Sequence, residues 1–592
     1  MTIHHSIAIV GAGPWGLAVL DRIVTRARLH SELDLRIDIF DPQEPGTGIH
    51  SPHQGEFLLL NTMAGQIDSF SSTHFGGKTM RGALSFMDWI HRYHDARCSS
   101  NTFLPRKMFG EYLRFVFDVL RSSLPSNVSL TKHREIAADI RSIADARFAI
   151  SLESGIEINF DYIFVCTGHG LDNHDANSNP NDALPVYPIA KLEHEIGGGN
   201  TVGLMGMGLV AVDAVSALTE GRGGRFCEQA DGKLLYQRSG REPVIYIFSR
   251  TGNIFSCRPS TTFDLAAGYE PIFCKESSLP RSNRLDFNKD VSPLIVAEMW
   301  AAHSMRRAHL LGGTSAERMQ RAKFEAASPK SAITLGKSLL GPGDIFDPET
   351  LIMGENGFEF QSPYQARATV IKRLEYDVSE SLKGEYFSPY KHGIEVLRAL
   401  RNFMRYCVSH QKLTPESRCN FFSQIAPRIS SLIVGPPVSR GREWLALIEA
   451  GVLHIDLGPS PALWRDPIDG FWVARSSHLM TSKTVQFDRL VQGFVSHAPI
   501  DVTKSPLLAN MAKSGLCALL EMSDHKSLRV NRSGQAVDST GQTVPGLTIL
   551  GVPTEGSTYF NHYLPSPNSR AQVFEQINLA LDALFTSAQS NA

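Results

Sequence analysis

The feature that most constrains this chain is a pair of strand, glycine-turn, helix units, one at IAIVGAGPWGLAVLDRI and one at TVGLMGMGLVAVDAVSAL. In Gly11-Ala12-Gly13-Pro14-Trp15-Gly16 the first glycine permits a tight turn and the second lets backbone approach a pyrophosphate. The third lets the helix pack closely on the strand. The helix N-terminus then offers unsatisfied N–H groups and a favourable dipole to phosphate. RIDIF supplies the next strand, and Asp41 at its close is the carboxylate wanted for ribose hydroxyls. Gly11, Gly13, Pro14, Trp15, Gly16 and Asp41 are the expected contacts of a first dinucleotide, read as FAD.

The second unit, Gly206-Met207-Gly208-Leu209-Val210-Ala211, places a small alanine where packing rather than backbone conformation limits the residue. Its next strand, VIYIF, ends at Ser249-Arg250, where an NAD site would more often carry an acid. A guanidinium fork suits a ribose 2′-phosphate, so NADPH is preferred over NADH. Each unit is closed by a related phrase, NFDYIFVCTGHG and QFDRLVQGFVSHAP, an Asp leading into an apolar strand. This reads as an internal duplication. Between SRTG and Ile433 the phrases SPLIVAEMWAAHSM and GIEVLRALRNFMRYCV have helical spacing. GQTVPGLTILGVPTEG near the end reads as a turn, a buried strand and a glycine-bearing loop carrying Gly551, followed by a helix. The expected fold is α/β, with two Rossmann-like dinucleotide-binding domains, the FAD domain discontinuous, and a mainly helical insert. The expected boundaries are 1–195 and 496–592 for the FAD domain, 196–262 and 431–495 for the NADPH domain, and 263–430 for the insert.

Composition excludes more than it assigns. A hydrophobic content of 42%, a charged content of 20% and a formal net charge of -2 lack the basic excess of a nucleic-acid binder. The eight cysteines form no CxxC pair, which argues against a zinc ribbon and against the disulfide-reductase branch of flavoproteins. No HExxH, metal-ligand spacing or GxSxG elbow is present, so no metal is expected. The first strand starts too early for a cleavable leader, and no apolar run reaches membrane-spanning length. The expected setting is the reducing cytoplasm, with a small-molecule substrate and O2 as partners, no nucleic acid and no membrane; homo-oligomerisation is compatible with all of this.

Beyond the glycines, GTGIHSP, FLLLNTMAGQIDSF, FMDWI and FLPRKMFGEYL follow one another in order. With them the chain resembles the two-dinucleotide flavoprotein monooxygenases, particularly a bacterial FAD/NAD(P)-binding group related to the N-hydroxylating enzymes. The resemblance implies that Asn61 and Thr62 lie against the flavin, Asn61 serving catalysis, with Arg106 close by. Gly168, in Cys166-Thr167-Gly168-His169, stands where the family has a phrase of Ala-Thr-Gly type. The plainer readings are Asn61 as a turn cap, Arg106 as a charge at a helix start, Cys166 as a buried strand residue and His169 as a loop histidine. In such enzymes NADPH reduces FAD, and oxygen passes to the substrate from a C4a-hydroperoxide.

The tail EGSTYFNHYLPSPNSR is similar to that of the aspartate N-oxygenases that generate nitrosuccinate. This implies hydroxylation of the amine of a small amino acid, L-aspartate first. The alternatives are another amine, a carbon or sulfur centre, an NADPH oxidase or a flavin redox sensor. A dicarboxylate needs cationic partners. Lys391, Arg440, Tyr559, Asn561 and Arg570 are the candidate substrate contacts, and His562 the candidate proton acceptor. Lys391 and Arg440 are by residue type more often surface charges.

Overall fold

The computed structural model describes residues 3–586 apart from 78–79, 145–146, 169–182, 261–267, 283, 355–359, 495–504, 523–525, 563 and 568–570. Ile3–Val10 forms the expected first strand, and Ile7, Ala8 and Ile9 are wholly buried on both of its faces. Burial of both faces is what parallel sheets with covered sides produce. This strand lies between Leu33–Phe40 and Tyr162–Val165, parallel to both. Val128–His133 extends the sheet on one side and Thr543–Ile549 on the other, also parallel, with Gln535–Val537 as an antiparallel edge. The first sheet therefore draws strands from both ends of the chain.

A second sheet repeats the plan. Thr201–Met205 lies between Val244–Phe248 and Arg489–Gln492, and Leu453–His454 and Leu184–Pro185 complete five parallel strands among the described residues. The duplication read from the two closing phrases holds at atomic detail. Gly11 N–H donates to the Phe40 carbonyl at 2.8 Å, and Gly206 N–H donates to the Phe248 carbonyl at 2.7 Å. Asp161 accepts the Ser6 N–H at 2.7 Å, and Asp488 accepts the Thr201 N–H at 2.6 Å. Each unit also carries a three-stranded antiparallel sheet between its third parallel strand and its closing strand, 137–160 in the first and 462–487 in the second.

Helices dominate between Val244–Phe248 and Leu453–His454, among them Ser292–Glu325, Pro363–Phe387, Pro389–Ala399 and Val438–Glu449. The last of these lies past residue 430, and its Trp444, Leu447 and Ile448, with Leu374 and Val378 of an earlier helix, pack into the same core as Val202, Leu204 and Ile245 of the second sheet. Other insert helices build a core of their own around Trp300, Phe421 and Phe422, which takes in Tyr559 and Phe560 of the tail.

Candidate active site

The first glycine turn has the shape a phosphate cradle requires. Gly11 sits at φ +89°, and a Cβ there would come within 2.5 Å of the Cys166 carbonyl oxygen. Gly13 is the residue before the helix Pro14–Ala27, with Pro14 at its first position, where a missing N–H costs nothing. A Cβ on Gly13 would meet Gly48 at 3.4 Å, so the GTGIHSP loop closes over the approach to this helix end. Asp41 accepts the Ala12 N–H at 2.8 Å and the Gln43 N–H at 2.9 Å, and burial raises its pKa. A carboxylate has capacity for two further donors, which is what ribose hydroxyls would use. Trp15 is half-buried and packs on Gly551, whose Cβ would lie 3.2 Å from the indole. Gly168, at φ +64°, has open space on its Cβ side. Cys166 is a buried strand-end residue, and burial pushes its thiol far above the usual range. His169 lies outside the described residues. These residues fit a bound dinucleotide.

The second turn is built alike. Gly206, at φ +110°, would bring a Cβ within 2.6 Å of the Gly493 carbonyl oxygen, and Gly208 precedes the helix Leu209–Leu218. Ala211, at the third position, is wholly buried, as a packing residue should be. Ser249 accepts the Gly252 N–H at 3.0 Å and so shapes the turn after the strand. Arg250 is exposed, and the described residues offer it no ion pair. Arg428 comes from the helix Ala426–Ile433, and burial together with the charge of Arg250 lowers its pKa. A shallow cleft next to the turn after this strand is lined by Met207, Thr251, Asn253, Arg373, Ile455 and Pro459. It lies between the loops that follow the second and third strands of this sheet.

The two units meet at Asn61 and at Arg106. Asn61 Nδ2 donates to the Val434 carbonyl at 3.4 Å, and Asn61 and Thr62 are half-buried. Arg106 begins the helix Arg106–Ser122 beside them, its Nη2 donating to the Leu59 carbonyl at 3.3 Å. The Arg106 guanidinium, read as close to the flavin, also spans the two units. Arg106 Nη1 donates to Asp213 at 2.7 Å and to Tyr187 Oη at 3.3 Å, and the Tyr187 hydroxyl also bonds Asp213. Arg106 thus ties the first unit to the helix Leu209–Leu218 of the second. His50, buried near Arg106, is lowered to about 3 by burial and by that charge, and so is neutral at working pH.

Lys391 and Arg440 are not the substrate ligands the sequence suggested, nor surface charges. Lys391 is 1% exposed, and its ammonium donates to Asp377 at 2.6 Å, Ser256 Oγ at 2.8 Å and the Cys257 carbonyl at 3.0 Å. All three of its protons are used. Arg440 pairs with Glu443 and Glu220 and donates to the Phe57 carbonyl, which neutralises it and ties its helix to the first unit. Two tail residues, Tyr559 and Asn561, also have protein partners. The Tyr559 ring packs in a core with its centroid 5.0 Å from that of Phe421. Asn561 Nδ2 donates to Thr558 Oγ1 at 2.7 Å, so it braces its own loop. His562 is exposed at the end of that loop. Ser569 and Arg570 lie outside the described residues.

The FAD-NAD(P)-binding family model matches residues 8–170, which contain the first glycine turn and most of its sheet. The L-aspartate N-monooxygenase (nitrosuccinate-forming) of Streptomyces davaonensis is 31% identical over 608 aligned residues, covering 94% of this chain and 93% of the relative. This chain belongs to that N-monooxygenase family. The nitrosuccinic acid synthase of Aspergillus oryzae is 27% identical, over 100% of this chain and 94% of that protein. Among solved structures, the ornithine hydroxylase of Pseudomonas aeruginosa aligns over 99% of both chains at 10% identity with a TM-score of 0.45.

Sequence reading missed two residues of this monooxygenase. Arg428 belongs to a helix remote in sequence from Arg250, and no local pattern announces their approach. Arg258, in Cys257-Arg258-Pro259, reads as a loop charge but is 2% exposed. Among the described residues, no helix of the enzyme is long and apolar enough to cross a membrane.

Proposed function

We propose that the enzyme hydroxylates the α-amine of L-aspartate, using FAD, NADPH and O2, and carries the product to the nitrosuccinate level. The observation that carries this reading is the 31% identity with a nitrosuccinate-forming L-aspartate N-monooxygenase over nearly the whole of both chains. Bound FAD supplies the redox chemistry, accepting a hydride from NADPH and allowing one atom of O2 to reach nitrogen while the other leaves as water.

The chain's own residues do the rest. Gly11, Gly13, Gly16 and Asp41 hold the FAD pyrophosphate and ribose, and Gly206 and Gly208 hold those of NADPH. Arg250 and Arg428 take the 2′-phosphate, because the charge of one opposes the charge of the other and a shared anion relieves that repulsion. The loops that carry Thr251 and Ile455 stand where a Rossmann sheet receives the adenine. Asn61 and Thr62 border the flavin, and His562 is the acceptor for the amine proton. Free amine is required, and the α-amine of a free amino acid, flanked by its own carboxylate, is more basic than the about 7.7–8.0 of a chain's terminal amine. Turnover of aspartate is therefore expected to go on rising with pH above 8. The test is turnover under ¹⁸O2. Label on nitrogen of a four-carbon dicarboxylate supports the reading, and label found only in peroxide and water refutes it.

A further inference from the structure

Among the described residues, Arg258 is a buried cation without a counter-charge. It is 2% exposed, and its only side-chain bond among the described residues is from Nη2 to Gln66 Oε1, at 3.4 Å. Its Nε is buried with no acceptor, and no described carboxylate pairs with it. Removing a guanidinium from water costs several kcal/mol, and proteins keep such groups only where an anion compensates. The other buried basic groups at this seam have found theirs. Lys391 has Asp377, Arg106 has Asp213, and Arg440 has Glu443 and Glu220.

The chain around Arg258 is held firmly. The Arg258 N–H donates to the Pro436 carbonyl at 2.7 Å, and the Ser256 N–H to the Ser431 carbonyl at 2.8 Å. Asp377 accepts the Cys257 N–H at 2.7 Å, while Lys391 grips the Cys257 carbonyl from the same side. This clamp fixes the backbone that presents Arg258, and it is the role of the lysine that the sequence mistook for a ligand. The side chain reaches the segment 61–66, which begins with Asn61 and ends with the half-buried Gln66.

We infer that Arg258 receives a carboxylate of the substrate, orienting the amine beside the Asn61 segment. This rests on the reading of the substrate as L-aspartate, whose two carboxylates set it apart from a basic amino acid. A planar guanidinium takes a carboxylate through two parallel bonds, which fixes direction as well as position. The same charge opposes an ammonium-tailed substrate such as ornithine.

The experiment compares wild type, Arg258→Met and Arg258→Lys as FAD-loaded full-length enzymes. Arg258→Met is expected to raise the KM for L-aspartate about 100-fold, the loss seen when one member of a buried charge pair is removed. Arg258→Lys keeps the charge without the fork and is expected between the two. Melting without substrate separates this from a structural role. Removing an uncompensated buried charge should leave the Tm equal or higher, whereas removing a structural residue would lower it. A KM within threefold of wild type in Arg258→Met, or a Tm lowered in both variants, overturns the inference. Should wild type leave aspartate unoxidised, the substrate reading falls and Arg258 is judged with succinate, a dicarboxylate lacking the amine. Succinate that raises the Tm of wild type but not of Arg258→Met supports the assignment; equal protection of both, or of neither, overturns it.

Discussion

Replacing Asp213 by alanine is expected to loosen the joint between the two nucleotide-binding units. The Asp213 side chain is 6% exposed and that of Arg106 is 15% exposed, with Nη1 and the carboxylate 2.7 Å apart. Burial opposes the charge on Arg106, and Asp213 with Tyr187 more than offsets that opposition. Without Asp213 the guanidinium stays buried and unneutralised, and the Tyr187 hydroxyl loses its acceptor. Breaking such a pair costs roughly 3–5 kcal/mol. For a unit of 150–250 residues each kcal/mol is worth about 2–4 °C, so flavin release should move down by ~6–20 °C. The assay follows flavin fluorescence during heating, because one two-state free energy is not defined for a chain of this size. The double variant Arg106→Met/Asp213→Leu, which removes both charges, should melt above Asp213→Ala. A shift under 2 °C in Asp213→Ala, or a double variant that melts below it, would refute the reasoning.

Three further outcomes follow from the geometry. Arg250→Ala should raise the KM for NADPH about 10-fold or more and leave that for NADH little changed, the loss of a charge-assisted bond being about 1.5–3 kcal/mol; equal KM values for the two nucleotides in wild type would remove Arg250 from the account. Gly13→Trp should yield colourless protein, since an indole there fills the approach between the first helix and Gly48, and a yellow variant with full FAD occupancy would show that the cradle lies elsewhere. Asp21 is wholly buried on the first helix, and burial raises its pKa to about 6. An acid whose folded pKa exceeds its unfolded value contributes stability at low pH that is lost as pH rises through about 6. Asp21→Asn should therefore raise the melting temperature at pH 7.5, by up to ~3 kcal/mol in stability, and change it little at pH 4; destabilisation at pH 7.5 would contradict this.

Sequence legibility tracked the range of the interactions. The glycine turns, the strands around them and the closing Asp161 and Asp488 were readable, because each is set by neighbours within one strand–turn–helix unit. The charged residues were misjudged because their partners are distant along the chain. Arg440 meets Glu220 and the Phe57 carbonyl, and Arg106 meets Asp213, across separations no periodicity records. Arg258 carried no signal, since a lone arginine before proline looks like a solvated loop residue until burial is known. Tyr559 and Asn561 read as candidate substrate contacts, but whether such side chains face a ligand or brace the loop depends on packing against the helices around Phe421.

The central claim is the identity of the reacting amine. Purified, FAD-loaded enzyme with NADPH and O2 is offered L-aspartate, ornithine and lysine in parallel, with oxygenated products followed by mass and hydrogen peroxide measured separately. Aspartate alone is expected to accelerate NADPH oxidation and to yield N-oxygenated dicarboxylate with little peroxide. Aspartate oxidising NADPH only at the substrate-free peroxide rate, while another amine is hydroxylated, would contradict it.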